Sequence, residues 1–234
     1  MQPHKIVSEQ EWITARKALL AKEKAFTHSR DRLSAARRVL PWVKVETNYV
    51  FDGPDGKQVL GDLFAGRSQL IVYHFMFGPG DSQGCRMCSF LCDHIDGVLP
   101  HLEHHDVSLV VVSRAPRAEF EPYHKRMGWK FKWVSSSESS FNSDYHVSFT
   151  TADVLRGVTT YNYQLREEQT EGEAPGISVF AKDEHGTIFH TYSSYARGGD
   201  LLIGTYNYLD LTPKGRNEEK DLAGWVRRHD EYEQ

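Results

Sequence analysis

Cysteine is scarce in this chain: 234 residues hold three, all between Cys85 and Cys92. Confined that narrowly, they cannot form the disulfide framework of a secreted protein, which leaves redox or metal chemistry at one place. Long apolar runs are missing as well. No segment approaches the roughly 20 residues that a membrane-crossing helix requires. The opening MQPHKIVSEQEW lacks an apolar stretch leading to a small-residue cleavage site. The expectation is a cytoplasmic protein with no membrane partner. Strong charge of one sign is absent too. A net charge of -4 and a pI near 6.3 provide no general field for phosphate backbones. Arg30, Arg32, Arg37 and Arg38 are the one basic stretch, interrupted by Asp31 and placed on a helix face that should be solvated. No nucleic-acid partner is expected.

What the sequence does contain is the composition of a folded protein, with 39% hydrophobic and 26% charged residues. The length suits one α/β domain with extensions. Ser8 and Glu11 have capping-box spacing ahead of Trp12, Ala15, Leu19 and Leu20, which predicts a helix from about Ser8. Residues 1–40 therefore read as an N-terminal helical extension. Residues 41–234 read as the main domain with a C-terminal helical extension. Past Pro41, Val43, Val45, Tyr49 and Phe51 precede the turn sequence DGPDG. Residues 70–77, LIVYHFMF, suit a central strand buried on both faces. Leu91, Cys92, Ile95, Val98, Leu99 and Leu102 trace a helical stripe, with Pro100 marking a kink or break. Residues 107–113 predict a second buried strand, residues 116–128 a helix, and residues 177–181 and 187–192 an antiparallel hairpin around DEHG. Residues 135–143 read as a serine-rich loop. Residues 150–175 are ambiguous, with TTYNYQL a candidate strand and EEQTEGEAPG a mobile turn. Strand and helix in alternation imply parallel strands joined by right-handed crossovers.

Cys85-Arg86-Met87-Cys88 follows the central strand and opens a helix. That position has a chemical rationale: free amides and the helix dipole stabilise the first thiolate, and the second cysteine lies one turn away within disulfide reach. Cys85 is the expected nucleophile and Cys88 the resolving thiol. Arg86 adds positive charge that should lower the Cys85 pKa further. His74, on the strand preceding the dithiol, is a candidate for moving a proton beneath the cysteines, with a hydrogen-bonded core histidine as the alternative. Ala174 and Pro175 stand directly before the hairpin, where thioredoxin-like proteins place a cis-proline loop facing the dithiol. They are assigned to substrate binding.

The segments FDGPDGKQVLGDLFAGRSQLIVYHFMFGP, GCRMCSFLCDHIDG and YNYLDLTPKGR resemble a bacterial family of unknown function described as thioredoxin-like, predicted dithiol–disulfide oxidoreductases. The resemblance covers most of the chain. It implies a thioredoxin-like mixed sheet flanked by helices, and attacking and resolving roles for Cys85 and Cys88. The stretch from Asp52 to Phe77 also resembles peroxiredoxins. Their proline and threonine before the reactive cysteine have Pro79 and, at most, Ser82 as counterparts here. Peroxide reduction is thus an alternative activity.

Other readings compete at several positions. Cys92 on the apolar stripe reads as a small buried hydrophobe. The rival is a metal site of Cys85, Cys88, Cys92 and His94, which one short helical segment would assemble badly. His101, His104 and His105 lie near a helix C-terminus, where exposed imidazoles are favoured. Tyr192, Tyr195, Tyr206 and Tyr208 would cover a core edge or form a homodimer interface. Arg197 among them is a candidate to hold an anionic substrate. No metal and no cofactor is expected, and the partner would be a thiol- or disulfide-bearing protein or small molecule. A non-catalytic binding module with structural or metal-binding cysteines is the alternative from another class.

Overall fold

The computed structural model describes residues 4–166, 170–216, 218 and 224–233, and the chain divides into two units, Met1–Pro41 and Trp42–Gln234. The first is helix α1 (Glu9–Arg38). Ser8 caps it: its hydroxyl accepts the Glu11 amide over 3.3 Å, and the Glu11 carboxylate accepts the Ser8 amide over 3.0 Å. Glu9 and Glu11 in the first turn and Arg37 and Arg38 in the last suit the helix dipole.

The second unit is built on an eight-stranded sheet in the order β1-β12-β11-β4-β5-β6-β2-β3. Its strands are β1 (Val43–Lys44), β2 (Val50–Gly53), β3 (Gly56–Val59), β4 (Gln69–His74), β5 (Val107–Ser113), β6 (Lys132–Ser135), β11 (Gly176–Lys182) and β12 (Ile188–Tyr195). Strands β4, β5 and β6 are parallel, whereas β11 runs antiparallel to β4 and pairs with β12. Helices α2 (Arg86–Cys92), α3 (Leu99–His104) and α4 (Arg117–Arg126) lie in the β4–β5 and β5–β6 crossovers. Between β6 and β11 come α5 (Phe141–Asp144), β7 (Ser148–Phe149), α6 (Thr151–Arg156), the hairpin β8 (Thr160–Tyr161) and β9 (Gln164–Leu165), and β10 (Gly172–Glu173), which pairs with β7. A 3-10 turn at Ala196–Leu202 and α7 (Gly204–Leu209) follow β12. Among the described residues no helix is long and apolar enough to cross a membrane.

The continuous apolar run at β4 conceals an alternation. Tyr73, Phe75 and Phe77 enter one core cluster with Cys88, Cys92, Phe120 and Trp133. Leu70 and Val72 enter another, with Val110, Val112, Phe141 and Tyr145. A strand covered on both faces must be apolar on both, so its period of two leaves no trace in hydropathy.

Two local expectations are corrected. The stripe from Leu91 to Leu102, expected to be kinked or broken at Pro100, is broken ahead of it: α2 stops at Cys92, and Pro100 lies in the first turn of α3, where its missing N–H costs nothing. The interruption holds two carboxylates with distant partners. Asp93 accepts the Trp129 indole N–H over 2.8 Å, and Asp96 accepts the amides of Lys130 and Phe131 over 2.9 and 3.0 Å. The serine-rich segment 135–143 is not wholly a loop, because β6 ends on Ser135 and α5 begins at Phe141. Its hydroxyls serve the backbone: Ser135 donates to the Ala115 carbonyl over 2.7 Å, which permits burial of so polar a stretch. Residues 150–175 combine α6, the β8–β9 hairpin and β10, with residues 167–169 of the expected turn outside the described ones.

Candidate active site

Strand β4 and the loop after it deliver Cys85 to the N-cap position of α2. All three cysteines are free thiols; Cys85 is half-buried, and Cys88 and Cys92 are buried. The Cys88 thiol donates to the Cys85 sulfur, and this is the largest influence holding the Cys85 pKa down, to about 6. Burial opposes the shift, while the amides of Cys88 and Met87 and the charge of Arg228 add to it. Cys88 moves the other way. Burial, first, and then the neighbouring Cys85 thiolate push its pKa well up. One thiol is thus poised as a thiolate near neutral pH, and its partner is kept protonated.

The loop before Cys85 is fixed from far along the chain. Arg228 donates from Nε to the Tyr123 hydroxyl over 3.0 Å and from Nη2 to the Gly84 carbonyl over 2.7 Å. The Tyr123 hydroxyl lies 2.7 Å from Ser89 Oγ, which donates to the Cys85 carbonyl over 2.8 Å. Gly84 has no room for a side chain, since a Cβ there would lie 2.6 Å from Phe75 Cζ and 2.7 Å from Tyr123 Cε1.

Two recesses meet at Cys85. One is an apolar cavity of 280 Å³, walled by residues that include Tyr73, Met76, Leu91, Pro175, Ile177 and Ile203. The Tyr161 hydroxyl clasps its rim, donating to the Pro175 carbonyl over 2.7 Å and accepting the Ala196 amide over 2.9 Å. The other is a polar groove of 660 Å³ lined by Asp81, Arg86, Arg114, Glu173 and Arg228. There the Glu173 side chain, 7% exposed, pairs with Arg114 Nε over 2.5 Å and accepts a short hydrogen bond from Ser148.

The residues singled out from sequence fall as follows. Cys85, Cys88 and Pro175 line the same cavity. The Ala174–Pro175 peptide is trans, as no described peptide bond is cis, so the expected cis-proline loop is not formed. Arg86 lines the groove and reaches the Val226 carbonyl at 3.5 Å. Among the leading influences that lower the Cys85 pKa, the guanidinium is that of Arg228. Arg197 is exposed and donates to Asp200 over 3.0 Å; Asp200, not Arg197, reaches the cavity wall. Ser82 is exposed and lines neither recess.

His74 stacks on Phe141 and Tyr145, members of the core on the face of β4 away from the cysteines. Its Nε2 bonds Ser178 Oγ over 2.9 Å, and Ser178 continues through Ser193 to His190. Burial pushes its pKa down to about 3, so it is a neutral core residue. The residue beneath the thiols is its neighbour Tyr73, whose hydroxyl meets Cys88 and whose pKa is raised by burial and then by the charges Cys88 and Cys92 would carry. His94 is committed elsewhere: Nδ1 lies 2.8 Å from the Phe90 carbonyl, and Nε2 accepts the Thr205 amide over 3.0 Å. Among the described residues no group of three or more His, Cys, Asp or Glu side chains is placed to hold a metal.

Sequence reasoning missed Tyr73, Arg228, Tyr123 and Glu173. Period-two alternation along β4 was the available signal for Tyr73. The others act through contacts between residues remote in sequence and leave no local pattern.

A central strand feeding a CxxC to a helix, between a parallel neighbour and an antiparallel hairpin, defines a mixed α/β protein of the thioredoxin-like class. Within that class the chain belongs to DUF899, a family described as bacterial protein of unknown function, matched over residues 1–232. No curated protein matches it in sequence. Among solved structures it is similar to a mutant of Xylella fastidiosa PrxQ, at 12% identity and a TM-score of 0.45 over 71% of this chain and 94% of that one. It is also similar to the peroxidoxin BcpB of Mycobacterium tuberculosis, at 10% identity and a TM-score of 0.47 over 73% of this chain and 97% of that one.

Proposed function

We propose that this protein is a thiol–disulfide oxidoreductase in which Cys85 attacks and Cys88 resolves. The observation that carries the reading is the inequality of the two thiols: Cys85 is half-buried with its pKa lowered to about 6, and Cys88 is buried with its pKa raised. The Cys85 thiolate attacks one sulfur of a substrate disulfide, forms a mixed disulfide and expels the other half as a thiolate. Cys88 then attacks Cys85, its proton passing to the released thiol, and the protein is left with a Cys85–Cys88 disulfide. Pro175 on the cavity wall and Arg86 in the groove would contact the substrate.

Trapping the intermediate tests this. Cys88→Ser should accumulate a mixed disulfide on Cys85, located by mass spectrometry of peptides, and Cys85→Ser should abolish exchange. An adduct on Cys92, or none at all, would overturn the mechanism.

A further inference from the structure

We infer that the disulfide accepted here is a small asymmetric one, whose apolar half enters the cavity at Cys85 and whose anionic half leaves through the adjoining groove. This rests on the exchange reading above and specifies its substrate class. Cys85 lines both recesses, and the two walls differ in chemistry. On one side, Met76, Leu91, Pro175, Ile177 and Ile203 enclose 280 Å³, nearly twice the ~150 Å³ that accommodates a benzene ring. That space suits a phenyl-sized or short alkyl group and is too small for a folded protein segment. On the other side, Arg86, Arg114 and Arg228 outnumber Asp81 and Glu173. Arg114 is paired with Glu173, Arg228 with Glu231, and Asp81 is engaged by the Gly78 amide over 2.7 Å, so among the described residues Arg86, bonded to the Val226 carbonyl at 3.5 Å, is the groove cation without a carboxylate partner and open to an anionic ligand.

The reaction requires such a division. In displacement at sulfur the attacking, central and leaving sulfurs lie close to a line, so the two halves of R–S–S–R′ depart from the reacting centre in different directions. Cys85 takes the sulfur bearing R, the S–S bond breaks, and R′S⁻ carries away the electron pair. New negative charge is stabilised on the arginine side and penalised on the apolar side. The apolar R is therefore the half retained on Cys85. Cys88 then forms the protein disulfide and R leaves as RSH, having taken the Cys88 proton. The substrate disulfide is reduced to two thiols and the protein dithiol is oxidised.

The probe is the mixed disulfide of benzyl mercaptan and 2-mercaptoethanesulfonate, with hydroxyethyl disulfide as the neutral polar comparison. Each rate is divided by the rate of the same disulfide with free dithiothreitol. With the Cys88→Ser protein, the benzyl half should be found on Cys85, and the normalised rate should exceed that of hydroxyethyl disulfide by about tenfold or more. Gly199 lies on the cavity wall, where an added Cβ meets Leu91 at 3.5 Å and Ile177 at 3.7 Å, so Gly199→Leu should project into the cavity and shrink that ratio. Arg86→Gln should shrink it as well, by slowing departure of the sulfonate half. The sulfonate half retained on Cys85, or a normalised ratio near one, would overturn the asymmetric-substrate inference and leave disulfide exchange standing. No Cys85 adduct with either probe would overturn both.

Discussion

Arg228 Nη2 donates to the Gly84 carbonyl oxygen over 2.7 Å, so a residue 144 positions further along the chain holds the one immediately before Cys85. The same guanidinium contributes to lowering the Cys85 pKa to about 6. Cys85 is reactive as the thiolate, so its alkylation rate should be at plateau well above pH 6 and fall as pH drops through that value. In Arg228→Gln the midpoint should rise by about one unit, measured as the pH dependence of iodoacetamide labelling. Arg228→Lys, which keeps the charge without the planar fork, should recover part of the shift. An unchanged midpoint in Arg228→Gln would remove Arg228 from the site.

Gly84 tests the same loop sterically. A methyl group there must displace the buried rings of Phe75 or Tyr123. Gly84→Ala should cost about 1–3 kcal/mol in urea denaturation and slow Cys85 labelling. Gly97→Ala meets no atom within 4 Å and should stay within about 0.5 kcal/mol of wild type. Equal stability of the two variants would contradict the packing described for the loop.

Tyr73 and His74 separate the two faces of β4. Removing the hydroxyl in Tyr73→Phe should slow closure of the Cys85–Cys88 disulfide, followed by quenched-flow thiol trapping, while His74→Gln should leave closure at the wild-type rate. The histidine should instead register in stability. Its folded pKa of about 3 lies below its ordinary 6.5, so the stability due to its neutral form is full above pH 6.5 and is lost as pH falls towards 3. The slope is about 1.4 kcal/mol per pH unit. Urea titrations at pH 7 and pH 5 should therefore differ less in His74→Gln than in wild type. The opposite pattern would place His74 in the redox chemistry after all.

This pair also shows what the sequence can and cannot disclose. The CxxC at the head of α2 and the capping box of Ser8 and Glu11 are local patterns, recoverable from spacing alone, and both are present in the fold. The face on which β4 presents Tyr73 is a tertiary fact, hidden because both faces of a central strand are apolar. Arg228, Tyr123 and Ser89 act as one network across 139 residues of chain, the distance from Ser89 to Arg228, and no short-range signal links them. Arg86 is conspicuous in sequence because it sits inside the motif, whereas the cation among the leading influences on Cys85, Arg228, lies 143 residues further along the chain.

Cys92 decides between a core thiol and a redox or metal thiol. It is fully buried in the cluster with Tyr73, Phe90 and Ile95, and burial raises its pKa well above the ordinary value. A thiol held protonated in an apolar core is a poor nucleophile and a poor metal ligand, because both roles require the thiolate. Cys92→Ala should therefore lose about 1 kcal/mol of stability, the scale for deleting one heavy atom from a packed interior. The Cys85 labelling midpoint and the mixed-disulfide yield of the Cys88→Ser background should be unchanged. If instead Cys92→Ala released bound zinc or iron from the purified protein, or lowered the mixed-disulfide yield severalfold, the third cysteine would belong to the site, and the two-thiol mechanism would have to be rebuilt around it.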